Sequence, residues 1–193
     1  VRAALLFVLV SAAVLVYAAA QLNTLCLYLS PLALGVVLCY SLTKRFTWLS
    51  HVMLGLSLGL APLGAWIAVT GGFALAPVVL GIAVLAWVAG FDILYACQDL
   101  EFDIRTGLHS IPVRFGLKGA LLGARFFHGL AIVAMAAVGY VGELNGIYLA
   151  GIVIIAGLLV YEHYLVRPDD LTRVNMAFMT MNSIVSILYF GFT

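Results

Sequence analysis

The stretch Asp92-Ile93-Leu94-Tyr95-Ala96-Cys97-Gln98-Asp99-Leu100-Glu101-Phe102-Asp103 holds four carboxylates, and no acidic residue precedes it in the chain. In a continuous α-helix at about 100° per residue, Asp99 and Asp103 lie within about 20° of Asp92, and Glu101 lies on the opposite side. Like charges spaced four residues apart repel one another, so this acidic stripe needs a cationic partner. Carboxylate oxygens placed this way suit Mg²⁺, which proteins commonly hold with one or two carboxylates and substrate phosphates.

The composition around this stretch is that of a membrane protein. The 193 residues are 65% hydrophobic and 9% charged, with a mean hydropathy of +1.20, whereas a soluble domain averages about 25% charged residues. The net charge of +1 gives no reason to expect nucleic acid as a partner. The cysteines Cys26, Cys39 and Cys97 show no C-x-x-C spacing, so they indicate neither a disulfide framework nor a zinc site.

The hydrophobic segments predict an all-α membrane protein with a single transmembrane domain over residues 1–193. About 20 apolar residues span a bilayer, and the first apolar run exceeds the core of a signal peptide although Ala18-Ala19-Ala20 imitates a cleavage site. We therefore predict seven transmembrane helices, with loops on one face at about 43–50, 97–117 and 166–173. The predicted helices cover 3–20, 22–42, 51–70, 73–96, 118–141, 146–165 and 174–192.

The basic residues predict the orientation. With seven crossings, every lysine and arginine falls on one face of the membrane, and the opposite connections at 20–22, 70–73 and 141–146 contain none. Cytoplasmic loops contain the excess of lysine and arginine, so this face, called the basic face below, is predicted to be cytoplasmic. The polar segment 97–117 lies on it and is too long for a minimal turn, which is typical of a functional loop.

Several motifs resemble those of one family. The pattern Asp92-x-x-Tyr95-Ala96-x-Gln98-Asp99-x-x-x-Asp103-x-x-x-Gly107-Leu108-His109-Ser110-Ile111-Pro112-x-x-Phe115-Gly116 resembles the second aspartate-rich motif of the UbiA superfamily of intramembrane aromatic prenyltransferases. Residues 40–47 are similar to the basic segment of those enzymes, and residues 59–69 to the helix that follows it. Asn175-x-x-Phe178-x-x-x-Asn182 is similar to their final polar helix. The 4-hydroxybenzoate polyprenyltransferase branch is the most similar.

This resemblance implies a nine-helix bundle that uses Mg²⁺ to transfer a polyprenyl group from polyprenyl diphosphate to an aromatic acid. It implies a multi-pass protein surrounded by membrane lipid, in a bacterial inner membrane with its active site facing the cytoplasm. The acceptor would be 4-hydroxybenzoate, or a dihydroxynaphthoate as the rival, in ubiquinone or menaquinone biosynthesis. The family's first motif, N-D-x-x-D-x-x-x-D, is absent, so we expect that this chain lacks the first two helices and holds half of a two-part metal site.

The resemblance also assigns roles to individual residues. Asp99 and Asp103 would hold Mg²⁺, with Asp92 assisting directly or through water. Lys44 and Arg45 would contact diphosphate oxygens, Lys44 as a compact positive charge and Arg45 through bidentate hydrogen bonds from its guanidinium. The tyrosine rings would face the allylic cation. The predicted catalytic residues are Asp99, Asp103, Tyr40 and Lys44, and the predicted substrate-binding residues are Lys44, Arg45, Tyr95, Ser110, Arg114, Asn175 and Asn182.

Each assignment has a simpler alternative. The aspartates would instead pair with Arg105 and Arg114, the basic residues would be ordinary flanking charges, and the tyrosines would be interfacial anchors. A cation-binding transporter is the alternative from another class, although transporter sites lie near the bilayer midplane. Two further ionisable groups inside helix five are functional candidates by default, and two in helix six are expected to be solvated at the interface. These are Arg125 and His128, and Glu162 and His163.

Overall fold

Seven helices of the computed structural model, which describes residues 2–193, are long and apolar enough to cross a membrane. Their number agrees with the prediction, and six of the seven begin within two residues of the predicted positions. Within residues 2–193 these seven spans comprise nine helices, α1 (Arg2–Leu22), α2 (Thr24–Thr43), α3 (Ser50–Thr70), α4 (Leu75–Ala96), α5 (Leu100–Thr106), α6 (Ile111–Val141), α7 (Gly146–Leu165), α8 (Val174–Met176) and α9 (Asn182–Phe192). The fourth span runs from α4 through α5, and the seventh from α8 through α9. A 3₁₀ turn, Cys97–Asp99, joins α4 to α5, and a π-helical segment, Ala177–Met181, joins α8 to α9.

The segment 97–117 was predicted to be a loop, and this prediction is wrong for most of its length. The chain stays helical through α5, and α6 begins at Ile111 rather than at 118, so residues 107–110 lie outside helices. Gly116, with a φ of 70° and a ψ of 173°, breaks α6 into a short first turn and a long helix that starts close to the predicted position. Gly107 ends α5 with a φ of 67°, a left-handed conformation that glycine adopts without strain. The hydroxyl of Ser110 accepts a hydrogen bond from the Val113 N–H and caps α6.

Helix α4 lies at the centre of the bundle, packed between α3 and α6. Its contact with α3 depends on glycine, because the backbones approach too closely for a side chain. A Cβ on Gly59 would lie 2.6 Å from the carbonyl oxygen of Gly81, and a Cβ on Gly81 would lie 2.6 Å from that of Gly59. Small residues that let helix backbones meet are a common way to pack helices in lipid, where the hydrophobic effect gives no drive for association.

Helices α6, α7 and α9 form the other side of the bundle around Tyr148. This side chain is 1% exposed, and its hydroxyl donates to the Met135 carbonyl at 2.7 Å and lies 3.1 Å from the Tyr189 hydroxyl. Helices α1 and α2 are peripheral, and Ala19 is the one buried residue of α1. Asn23 fixes the turn between them to α3, since its side-chain amide donates to the Ile67 carbonyl at 2.8 Å.

Candidate active site

A cavity of about 290 Å³ lies between α2, α3 and α4 at the basic face. It brings together five residues that the sequence analysis selected from two separate segments, Tyr40, Lys44, Asp92, Tyr95 and Asp99. Two carboxylates, an ammonium group and two phenol rings therefore line one open-sided cavity. The remaining wall is formed by Ser41, Ser50, His51, Leu54 and Ala96.

Asp92 is held in place by a histidine from α3. The Nδ1 atom of His51 lies 2.7 Å from Oδ2 of Asp92, and the other ring nitrogen, Nε2, accepts a hydrogen bond from the Ile111 N–H at 3.4 Å. An acceptor at Nε2 places the ring proton on Nδ1, so His51 donates to the carboxylate. Because the His51 side chain is only 3% exposed, the hydrogen bond is shielded from water and fixes the orientation of Asp92.

Asp103 pairs with Lys44, although it does not line the cavity itself. The ammonium nitrogen of Lys44 lies 2.9 Å from Oδ2 of Asp103, whose side chain is completely buried. The pair lacks the angles of a hydrogen bond, and both carboxylate oxygens are without a hydrogen-bond partner. The charge of this buried carboxylate is therefore only partly compensated, by a lysine that is itself partly exposed.

The three aspartates do not converge on one point, contrary to the expectation from a continuous helix. Among residues 2–193, no group of three or more histidine, cysteine, aspartate or glutamate side chains is arranged to hold a metal ion. The cause is the 3₁₀ turn at 97–99, because three residues at about 120° instead of about 100° rotate everything after it by about 60°. Asp103 is thereby directed to Lys44, while Asp92 and Asp99 remain on the cavity wall.

Backbone hydrogen bonds join the loops around the cavity. The His109 N–H donates to the Lys44 carbonyl at 2.7 Å, which ties the turn after α5 to the end of α2. The Ile111 N–H is one of the free donors at the start of α6, and it is the group that binds His51. The motif after Asp103 is therefore hydrogen-bonded to the two segments that line the cavity.

The other predicted substrate-binding residues lie outside this cavity. Ser110 is buried and serves as the cap of α6. The side chain of Asn182 lines a second cavity of about 340 Å³, accepts a hydrogen bond from the Trp87 indole at 3.0 Å, and donates to the Phe178 carbonyl. Three remaining residues are exposed, namely Arg45, Arg114 and Asn175.

A row of aromatic side chains connects the two cavities. The ring of Tyr95, on the wall of the first cavity, lies 4.5 Å from that of Phe178, which lines the second. Phe91 lies 5.4 Å from Phe178 and 5.6 Å from Trp87, measured between ring centroids. The polar cavity at the basic face therefore continues into an aromatic and apolar region between α4 and the final helix.

His51 was missed in the sequence analysis. It lies 41 residues before Asp92 and four residues after the basic segment, so nothing in its local pattern marks it as a partner of the aspartate. The one available signal was its charge-bearing side chain in the first turn of an apolar helix.

A comparison with protein families identifies the group to which this chain belongs. The profile of the UbiA prenyltransferase family matches residues 1–184. The chain belongs to the UbiA prenyltransferase family. The seven helices described above are thus seven helices of a UbiA-type bundle.

Similar proteins from bacteria share the sequence over most of this UbiA chain. It is 31% identical to a 4-hydroxybenzoate octaprenyltransferase of Tolumonas auensis over 193 residues, which cover 99% of this chain and 66% of the relative. It is also 31% identical to a 4-hydroxybenzoate octaprenyltransferase of Edwardsiella ictaluri, covering 88% of this chain and 59% of the relative. The chain therefore spans about three-fifths to two-thirds of the length of these relatives.

Solved structures show the same UbiA fold. A UbiA homolog from Aeropyrum pernix K1 has a TM-score of 0.87 and 33% sequence identity, and the match covers 99% of this chain and 71% of the homolog. A structure from a study of digeranylgeranylglyceryl phosphate synthase has a TM-score of 0.74 at 22% identity, over 92% of this chain and 63% of that one. The second likeness concerns the fold alone.

Proposed function

We propose that the chain is part of an enzyme that transfers a polyprenyl group from polyprenyl diphosphate to an aromatic acid. 4-Hydroxybenzoate is the leading acceptor, since the similar bacterial proteins are named for it, and a dihydroxynaphthoate is the rival. The products would be precursors of ubiquinone and menaquinone respectively. The observation that best supports this function is the shared cavity of Lys44, Asp92, Asp99 and two tyrosines beside an aromatic, apolar region.

The reaction requires separation of charge. The allylic C–O bond breaks, its electron pair leaves with the diphosphate, and a carbon of the aromatic ring bonds to the allylic carbon before the ring loses a proton. Lys44 would bind the departing diphosphate as a compact positive charge. The rings of Tyr40 and Tyr95 line the same cavity and would stabilise the allylic cation through their π faces. The aromatic row from Tyr95 to Trp87 would contact the polyprenyl chain.

The residues fit a role for Mg²⁺. Asp92 and Asp99 offer two carboxylates on one cavity wall, which matches the small number of protein ligands that Mg²⁺ takes when phosphates and water complete its shell. The buried, incompletely bonded Asp103 is a third carboxylate within reach of Lys44. When bound, the cation would neutralise charge on the leaving diphosphate. Movement of Lys44 from Asp103 to the diphosphate would free that carboxylate.

The site is proposed to face the cytoplasm across a bacterial inner membrane. The cavity lies at the basic face, and the connections on the opposite face contain no lysine or arginine, whereas cytoplasmic loops are enriched in these residues. This position also argues against a cation transporter, whose site would lie near the bilayer midplane.

The experiment compares two carboxylate substitutions in the full-length protein. Asp99→Asn removes a charge from the cavity, and Glu101→Gln removes the same charge from an exposed position two residues away. We expect Asp99→Asn to lower prenyl transfer by about 100-fold, because stabilisation of a leaving group by a metal is worth several kcal/mol, and Glu101→Gln to have little effect. Chelation of Mg²⁺ should abolish transfer. Equal activity of both variants would refute the site, and cation uptake into liposomes without a prenylated product would favour the transporter.

A further inference from the structure

A second cavity, lined mainly by apolar side chains, lies between α6 and α7, away from the aspartates. Its volume is about 600 Å³, roughly twice that of the candidate active site. One part of its wall is polar and is formed by Arg125, His128, His163 and Arg167, and the other is apolar and includes Ile132 and Leu159. The prenyl transfer proposed above uses none of these residues.

Buried ionisable groups stand beside this cavity. Nδ1 of His128 lies 3.0 Å from Nε2 of His163 and 3.8 Å from a carboxylate oxygen of Glu162. The Glu162 side chain is fully buried, and neither of its oxygens has a hydrogen-bond partner. The prediction that Glu162 is solvated is therefore wrong. Ionisable groups inside a membrane span are costly and are usually retained for function.

A glycine on α4 provides the space that the His128 ring occupies. A side chain at Gly90 of α4 would collide with the ring of His128, so this glycine is needed for the histidine to lie inside the bundle. Both histidines line the cavity, whereas Glu162 does not. The carboxyl group therefore lies behind the histidine pair, and the positive charge presented to a ligand comes from Arg125 and Arg167.

Two arginines mark the end of the cavity nearest the basic face. Arg125 is exposed on α6, and the guanidinium of Arg167 lies 4.8 Å above the ring of Tyr164. Backbone hydrogen bonds between Arg167 and Asp170, at 3.2 and 3.1 Å, fix the turn that follows α7. The Asp170 carboxylate is engaged by Thr172, whose hydrogen bonds hold the pKa of that exposed carboxyl below its ordinary value.

We propose that the groove between α6 and α7 binds an anionic phospholipid, with the phosphate at Arg125 and Arg167 and one acyl chain along Ile132 and Leu159. Basic pockets between transmembrane helices near the cytoplasmic face are suited to anionic headgroups. The volume accommodates the headgroup and part of one chain, and the remainder of the lipid stays in the bilayer. Charge complementarity selects a lipid over an uncharged apolar ligand. This site is independent of the prenyl transfer proposal.

The test measures lipid retained by the full-length protein. Protein exchanged from detergent into mixtures of phosphatidylglycerol and phosphatidylcholine is analysed by native mass spectrometry. The wild type should retain phosphatidylglycerol in preference, and Arg125→Gln with Arg167→Gln should weaken that preference by about 30-fold, or about fivefold per arginine. The control, Arg105→Gln with Lys118→Gln, removes two charges from the same face outside the groove and should preserve the preference.

Two outcomes would overturn the proposal. The first is equal retention of both lipids by the wild type, or an unchanged preference in the double variant. The second is occupation of the groove by protein. Ala156, half-buried on the apolar wall, would be replaced by cysteine and exposed to a lipid-soluble maleimide in detergent. Fast labelling that slows when phosphatidylglycerol is added supports a lipid site, and complete protection without lipid shows that a segment of the protein fills it.

Discussion

Replacement of His51 by leucine should weaken Mg²⁺ binding without unfolding the protein. His51 lies between Asp92 and the start of α6, with a 2.7 Å hydrogen bond to the carboxylate and a weaker one from the Ile111 N–H. Leucine fills similar space and provides neither bond. Asp92 would then be free to rotate in the cavity, and its oxygens would no longer be directed at one position.

The size of the effect follows from the hydrogen bond to a charged group. Such a bond contributes about 1.5–3 kcal/mol, which corresponds to a factor of about 10 to 100 in affinity. Substitution of residues that orient metal ligands has effects of about the same size. We therefore expect the half-saturating Mg²⁺ concentration for prenyl transfer to rise by about 10- to 100-fold in His51→Leu.

The assay combines a Mg²⁺ titration of prenyl transfer with Mn²⁺ binding followed by electron paramagnetic resonance, both on the full-length protein. His51→Asn is the matched control, because its amide nitrogen can take the place of Nδ1 and donate to Asp92. It should restore most of the metal affinity. The reasoning would be refuted if His51→Leu kept its Mg²⁺ half-saturation and Mn²⁺ affinity within about twofold of the wild type while its thermal unfolding was unchanged.

Three further substitutions test the packing and charge of the fold by thermal unfolding in detergent. Gly59→Ala should destabilise the protein by about 1–3 kcal/mol through collision with the α4 backbone, whereas Gly64→Ala, with open space around it, should be neutral or slightly stabilising. Tyr148→Phe should cost about 1 kcal/mol by leaving hydrogen-bonding groups unpaired, and Tyr140→Phe, at an exposed position, should cost nothing measurable. Lys44→Met should cost on the order of 2 kcal/mol because its buried aspartate partner would lose its cation; equal stability would show that the pair contributes nothing.

The number of spans could be predicted from sequence because lipid imposes a length on every helix. Each predicted span is an apolar run of the required size. The segment 97–117 was predicted to be a loop because a polar connection of this length is typical of a functional loop. In fact polar helices are stable outside the hydrocarbon region, and the signals of a helical segment were present. Gly107 ends one helix there, and Ser110 with Pro112 begins the next.

Several residues that line the candidate site could be predicted from sequence motifs, but the detailed geometry of the site could not. Tyr95 and Asp99 occur together in one motif, and Tyr40 and Lys44 in another, so the pairing of two segments was sufficient to find the cavity. The orientation of Asp103 depends on three residues of 3₁₀ helix, which rotate it toward Lys44. A helical wheel drawn with a constant angle per residue cannot show this rotation.

Glu162 shows where reasoning from local sequence fails. It lies near the end of a predicted span, where charged side chains usually reach water, and this supported a solvated position. Its burial is produced by contacts that are remote in sequence, since His128 comes from another helix and is itself admitted by Gly90 on a third. A glycine, a histidine and a glutamate that are individually unremarkable thus form one internal polar cluster. Only the packing of α4, α6 and α7 brings them together.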